Sequence, residues 1–348
     1  MTARLLVLTG NRDSASFRYR IEPYLGRLEA SGIRCRVEVL PAKIGSRRQL
    51  LRQSSQWDGV FLHRKLLTWH DARLLRRHAR VIVYDFDDAV MYKADRPQGS
   101  SLLRWGRFRR TVKAADLVIA GNPYLADLAR PFNPRTEVLP TGVDTRMYRA
   151  GPPAETDGKV RLVWIGSQST LPYLEQIRPA LEQIGHCFPL VGLRIICNHF
   201  LDLDHLPVEK CPWSEEGHAS LLRSSDIGLA PLPDNAFTRG KCGFKILQYH
   251  ACGLPVVASP VGINSEYIRD GVTGLHATGT SGWVDSLGKL IDSRPLRTRM
   301  GQAAKVAVQR FDTGPIGRQI ISLIRTVMPD GKGRGKEGAG HERTPDNQ

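Results

Sequence analysis

Short apolar runs alternate with longer amphipathic stretches along this chain, in two series separated by a polar break, and that rhythm limits the fold more than any other feature. Leu5–Thr9 reads as a strand, and Arg18–Ser31 places Ile21, Leu25 and Leu28 at helical spacing. Cys35–Leu40 alternates as a strand does, Ser46–Ser54 suggests a helix, and Gly59–Leu62 is strand-like again. Asp71–Ala79 and Ser101–Lys113 read as helices, and Val81–Asp85, Leu117–Ala120 and Thr136–Leu139 as strands. Residues 142–159 then lose the pattern to Gly, Pro and polar residues, as interdomain linkers do. A second series follows through Val160–Ile165, Tyr173–Ile184, Leu193–Cys197, Ser220–Leu222, Asp226–Ala230, Phe244–Ala251 and Pro255–Ser259. Strand–helix alternation predicts mostly parallel sheets with helices on both faces. The expectation is an α/β chain of two doubly wound domains, 1–150 and 151–328, with ligands taken at the carboxyl ends of the strands, in the cleft between them. Residues 329–348 are nearly devoid of apolar side chains and are expected to form a disordered tail.

Composition fits that division. A chain of 348 residues usually splits into two cores, and 41% hydrophobic with 24% charged residues is a globular balance. No run of eighteen apolar residues occurs, and the apolar stretch at the start, Leu5–Thr9, is bounded by Gly10, Asn11 and Arg12. It reads as a first buried strand rather than a signal peptide, so a cytoplasmic protein is expected. The six cysteines form no CxxC pair, which points to neither a disulfide framework nor a zinc site. The formal charge of +16 is unevenly placed: residues 1–152 hold 28 Lys and Arg against 14 Asp and Glu, and residues 153–348 hold 22 against 20. A cationic half attracts nucleic acid, phosphorylated acceptors or acidic lipid headgroups. Helix-turn-helix, zinc-finger and RNA-sheet signatures are missing, so nucleic acid is not expected.

Residues 239–274, RGKCGFKILQYHACGLPVVASPVGINSEYIRDGVTG, carry the chemistry. Gly240 and Gly243 flank a turn into a helix, where backbone N–H groups and the positive helix end can face a phosphate. Lys241 and Lys245 beside that turn can neutralise a diphosphate, with Arg239 close enough to help. Solvated basic residues on an ordinary glycine-rich connection would look similar one residue at a time; three together favour an anion site. Loop, helix, A-x-G-x-P-V-V-A-S strand and D-G-x-x-G loop, in this order, resemble the donor-binding segment of glycosyltransferase family 4 (glycosyl transferases group 1). The resemblance implies a GT-B fold of two Rossmann-like domains and a nucleotide diphosphate sugar as donor. It also implies retention of anomeric configuration, without metal or other cofactor.

The segment departs from the family pattern at two positions where glutamates eight residues apart are common, here Gly240 and Gln248. Gln248 can still hydrogen-bond a ribose hydroxyl. Glu266 is a candidate to replace the first carboxylate, or else a surface charge. The basic pair usual after the first strand of the second domain is absent, and the stretch from Gly166 and Ser167 to Thr170 offers hydroxyls and amides to the phosphates instead. Lys241, Lys245 and Gln248 form a K-x-x-x-K-x-x-Q arrangement similar to one branch of the family.

In the first half, Gly10 matches a family position near the donor phosphates, and Arg18 or Arg20 could point into the cleft. Asp85, Asp87 and Asp88 cluster at a strand end, where they repel one another unless a cation, a metal or a function compensates. Contact of Asp87 and Asp88 with sugar or acceptor hydroxyls is favoured over metal. His63 is a cleft candidate or a structural hydrogen-bonder. Arg64–Arg80 and Leu102–Lys113 concentrate basic residues, the latter interleaved with Leu102, Leu103, Trp105 and Phe108. Such a helix can lie on an anionic membrane surface or pack into a core. The expected activity is transfer of a sugar to a hydroxyl acceptor, lipid-linked at the inner membrane face, in cell-surface polysaccharide or glycolipid synthesis. The rival reading is a catalytically degenerate homologue that binds sugar nucleotides or glycans.

Overall fold

The computed structural model describes residues 2–93, 96–149 and 158–328. The middle of the expected linker and the expected tail therefore lie outside the described residues. Eight strands precede the polar break: β1 (Ala3–Thr9), β2 (Ile33–Val39), β3 (Gly59–His63), β4 (Ile82–Phe86), β5 (Tyr92–Lys93), β6 (Arg96–Ser100), β7 (Leu117–Ala120) and β8 (Thr136–Val138). β5 and β6 pair antiparallel with each other, while the rest form a six-stranded parallel sheet in the order β2-β1-β3-β4-β7-β8. After the break come β9 (Val160–Ile165), β10 (Val191–Ile196), β11 (Val208–Cys211), β12 (Ile227–Ala230), β13 (Val256–Ala258) and β14 (Gly274–His276). They make a second six-stranded parallel sheet, β11-β10-β9-β12-β13-β14.

Each sheet is covered on both faces, which is why its central strands β3, β4, β7 and β12 are buried along their whole length, while the edge strands β2 and β11 keep polar, exposed positions. Side chains still alternate between two cores. Leu6 and Leu8 of β1 pack with Leu51, Leu67 and Leu75, while Leu5 and Val7 face Phe17, Tyr24, Ile316 and Ile320. Likewise Val163 and Ile165 of β9 join one core of the second sheet, and Leu162 and Trp164 the other.

Three features were not legible in the pattern. The break at 142–159 starts as ordered structure: Val143 bridges Asp312, and the helix Thr145–Arg149 buries Tyr148 in the second unit's core. The last described helix, Thr313–Arg325, follows the second unit in sequence but packs on the first sheet through Ile316, Ile320 and Ile324. The third is a docked segment: Phe237 and Cys242, from beyond β12, are buried in the first unit's core. The chain thus crosses between the units twice, and a side-chain wedge holds them besides.

Ile320 is 3% exposed. Ile320→Ala should cost about 2–5 kcal/mol and lower the urea midpoint. An unchanged midpoint would show that this helix adds nothing to the first core.

Candidate functional site

Both sheets turn their carboxyl ends toward one cavity of about 660 Å³. In the second sheet the strand order reverses between β9 and β12, the place where doubly wound sheets open a crevice. Gly166, Ser167, Gln168 and Thr170 beyond β9, and Pro231 and Leu232 beyond β12, line the cavity there. The first unit contributes Ser16 and Arg18 beyond β1, Arg64 beyond β3, and Asp87 and Asp88 beyond β4.

The helix Phe244–Cys252 starts at the cavity wall. Gly243 enters it at φ 62 and Gly253 leaves it at φ 80, left-handed conformations that favour glycine. A Cβ on Gly243 would also lie 2.9 Å from Ile263, so the start of the helix is pinned against the neighbouring loop. Ile246, Leu247, Tyr249 and Ala251 bury its inner face. Gly243, Phe244, Lys245 and Gln248 line the cavity, so the positive end of the helix faces it.

The two lysines differ in state. Lys241 Nζ pairs with Asp88 at 3.1 Å across the cleft and lies 4.4 Å from the Phe237 ring centroid. Lys245 has no carboxylate partner among the described residues; its Nζ sits 4.5 Å from the centroid of the Trp164 ring. Burial, and then the nearby Lys241 charge, push its pKa down to about 7. A cation held beside a ring and a helix start, without a counterion, is the part of the wall most in need of an anion.

The carboxylate cluster resolves into ion pairs. Asp85 is structural: Arg20 Nη2 lies 2.7 Å from it and His63 Nδ1 2.9 Å, all three side chains being buried. This accounts for Arg20, which does not reach the cavity, and for His63, whose Nε2 is 3.0 Å from Ser16 Oγ. Ser16 Oγ lies 2.7 Å from both Asp87 oxygens. Burial alone would raise the Asp87 pKa, but Arg64, His63, Arg20 and the Ser16 hydrogen bond hold it down at about 2. Asp88 is held by Arg64 at 3.2 Å as well as by Lys241. Among the described residues no group of His, Cys, Asp or Glu is arranged to hold a metal ion.

Of the residues expected from sequence, Arg18, Asp87, Asp88, Gly166, Ser167, Lys241, Gly243, Lys245 and Gln248 meet at the cavity. Gly10, Arg239 and Glu266 are not in its wall. A Cβ on Gly10 would strike the Lys65 side chain at 2.5 Å, so this glycine makes room for Lys65. Arg239 is exposed and paired with Asp234 at 2.6 Å, and Glu266 is exposed on the short helix Asn264–Tyr267, whose Asn264 lines the cavity instead. Arg18 reaches the wall but spends its guanidinium across the cleft, 4.8 Å over the Trp213 ring and 3.9 Å from Glu215. Sequence reading missed Trp213, Asn198 and His199, which line the cavity from the loops after β10 and β11. Their signal is weak: each follows a strand end, but β11, with Glu209 and Lys210 exposed, shows no apolar run.

Comparison with known proteins bears on the family segment and on the fold. Residues 142–293 match the family model described as Glycosyl transferases group 1. A D-inositol 3-phosphate glycosyltransferase of Arthrobacter sp. (strain FB24) is 28% identical over 233 residues, 58% of this chain and 53% of that protein. A phosphatidyl-myo-inositol mannosyltransferase of Mycobacterium leprae is 31% identical over 120 residues, 34% of this chain and 31% of that one. The chain thus matches about half the length of the first of these relatives and less of the other. Among solved structures, Anabaena Alr3699/HepE in complex with UDP and glucose superposes with a TM-score of 0.70 at 18% identity, covering 93% of this chain and 100% of that one. Sucrose-phosphate synthase (tll1590) of Thermosynechococcus elongatus gives 0.73 at 13%, covering 93% and 99%. The fold is GT-B.

A bound diphosphate would return Lys245 to its protonated state, so binding above pH 7 should take up a proton. Nucleoside diphosphate affinity should fall by up to about tenfold per pH unit from 7 to 9. Lys245→Met should bind weakly and lose that slope. Calorimetry in buffers of different ionisation heat reads both effects; a pH-independent affinity in the native chain would remove Lys245 from the anion site.

Proposed function

We propose that this protein is a retaining, metal-independent glycosyltransferase that moves a sugar from a nucleotide diphosphate sugar to a hydroxyl acceptor. The observation that carries the reading is Lys245, a cation without a carboxylate partner among the described residues, at the start of a helix aimed into a cavity between two doubly wound sheets. It falls inside the segment that matches the family. Support also comes from the solved neighbours whose crystals hold UDP, UDP with glucose, or UDP-glucose.

In this reading the diphosphate lies against the start of the helix Phe244–Cys252, with Lys245 and Lys241 holding its developing charge. Ser167 and the neighbouring hydroxyls add hydrogen bonds, and Gln248 meets the ribose. The bond from the sugar's anomeric carbon to the diphosphate breaks as the acceptor oxygen attacks from the same face. The departing diphosphate oxygen takes the hydroxyl proton. Asp87 and Asp88 are both ion-paired, so they orient sugar or acceptor hydroxyls and do not serve as a covalent nucleophile.

The acceptor side of the proposal is a lipid-linked hydroxyl at the inner face of the cell membrane, in polysaccharide or glycolipid synthesis. No described helix is long and apolar enough to cross a membrane. Among the described residues of the first unit, Val39, Ile44, Trp69, Leu102 and Leu103 are nevertheless exposed. Val39 ends β2, and the others open the helices Ile44–Gln53, Trp69–His78 and Leu102–Ala114. Helices that follow parallel strands begin at the carboxyl edge of the sheet, which is the cleft edge. Exposed Lys43, Arg48, Arg73 and Arg109 accompany them, a composition suited to an anionic interface.

A thermal-shift screen against nucleoside diphosphates and their sugars should raise the melting temperature. Lys245→Ala should lower sugar transfer about 10²–10³-fold. Binding without transfer or donor hydrolysis would favour the non-catalytic rival, and no response to any nucleotide would sink the donor reading. Flotation with vesicles of anionic phospholipid at low salt should recover the native chain. Replacing Trp69, Leu102 and Leu103 by Ser should abolish flotation and leave nucleotide binding intact; flotation of that variant would overturn the membrane assignment.

A further inference from the structure

Gln248 does not stand alone in the wall. Its Nε2 donates to Tyr148 Oη at 2.8 Å. Tyr148 Oη is 3.0 Å from His218 Nε2, and His218 Nδ1 is 2.9 Å from the Ser214 carbonyl oxygen. Gln248, Tyr148 and His218 are 4%, 1% and 0% exposed, so water does not rearrange the chain of bonds.

The direction of each bond follows from the two ends. The Ser214 carbonyl only accepts, so His218 Nδ1 carries a proton. At the other end the Gln248 amide donates to the Tyr148 oxygen, which leaves the tyrosine's own proton for His218 Nε2. Tyr148 therefore donates its hydroxyl proton to His218, and its oxygen accepts from the Gln248 amide. Burial raises the Tyr148 pKa well above the usual phenol value, which keeps that proton in place. The amide N–H₂ being turned inward, its carbonyl oxygen is the atom left for the cavity. No described hydrogen bond occupies it.

We propose that Tyr148 and His218 are positioning residues that turn the Gln248 carbonyl oxygen toward the cavity, making this point of the wall an acceptor for a ligand hydroxyl. The ligand hydroxyl is that of the nucleotide's ribose, and in this respect the inference rests on the donor reading above. It also gives a reason for an amide at position 248. A carboxylate there has no proton to give Tyr148; Tyr148 would have to donate to it, and His218 Nε2 would then face an oxygen lone pair. The Tyr148–His218 pair accepts a glutamine and conflicts with a glutamate unless His218 is protonated.

The test compares binding of UDP or GDP, whichever the native chain takes, with binding of its 2′,3′-dideoxy analogue. The native chain should bind the analogue about tenfold more weakly, the worth of one well-made hydrogen bond. Tyr148→Phe should narrow that ratio to about twofold by releasing the amide, and Gln248→Ala should abolish it. A merely structural role for Tyr148 would weaken both ligands equally and leave the ratio unchanged, which would overturn the proposal. Equal binding of the two ligands by the native chain would overturn it while leaving the donor reading intact. Binding of neither would end both. Nitrogen chemical shifts of the His218 ring in the native chain need no variant: Nδ1 should be protonated and Nε2 bare. A bare Nδ1 in the native chain would refute the assigned bond directions.

Discussion

The docking of residues 237–243 into the first unit is the contact on which the site depends. Asn122 donates through Nδ2 to the Lys241 carbonyl at 2.9 Å, and its Oδ1 accepts from Leu125 N at 2.8 Å. Cys242 Sγ donates to the Asp87 carbonyl, and Tyr124 Oη donates to the Ala236 carbonyl at 3.1 Å. The segment so held runs directly into the helix Phe244–Cys252. The position of the helix start, and of Lys245 on it, is therefore set from the opposite side of the cleft. The contact between the units and the placement of Lys245 are thus set by the same segment, as the proposed exclusion of water from the site requires.

Charge is arranged by the same rule of local compensation. Of the basic residues of the first half, Arg20 and Arg64 are spent inside, neutralising Asp85, Asp87 and Asp88. Three carboxylates at one strand end can stay ionised only because cations stand within about 3.5 Å of each. Lys241 completes the set from the second unit. Lys245 lies beyond this pairing. Its depressed pKa shows the cost of holding a positive charge there without an anion. The exposed Arg48, Arg73 and Arg109 do not line the cavity and bear on it only through the long-range field.

The sheets were legible because buried parallel strands are apolar on both faces, and the helices between them keep a 3.6-residue period. The helix Phe244–Cys252 was legible because an apolar stretch lies between two glycines, Gly243 and Gly253, which the structure shows at positive φ. What escaped were residues whose role depends on a distant partner. Tyr148 sits in a Gly- and Pro-rich break and shows no pattern, yet it is 1% exposed because the helix Thr145–Arg149 leans on the second core. The edge strands β11 and β14 have too few buried residues to print a period. Arg18 reads correctly as a residue of the cleft, but its stacking on Trp213 depends on a loop nearly two hundred residues away. Glu266 and Arg239 were drawn in by sequence proximity to the motif, and the helix geometry leaves both outside the wall.

The two positions where carboxylates would be expected now have separate physical explanations. A Cβ on Gly240 would lie 2.6 Å from the Ala89 Cβ and 3.1 Å from its backbone nitrogen, so any side chain there would push the docked segment off the first unit. The glycine at 240 thus belongs to the closure of the cleft. At 248 the constraint comes from the second unit alone, where Tyr148 Oη accepts from the Gln248 amide and, in the proposed arrangement, gives its own proton to His218. One position lost its carboxylate to sterics across the cleft, the other to hydrogen-bond polarity within one unit. Neither change removes the positive helix end or Lys245, so the loss of the pair does not argue that the site has lost its anion. With no carboxylate at 240 or 248, the positive field of Lys241 and Lys245 is not offset by a negative charge at either position.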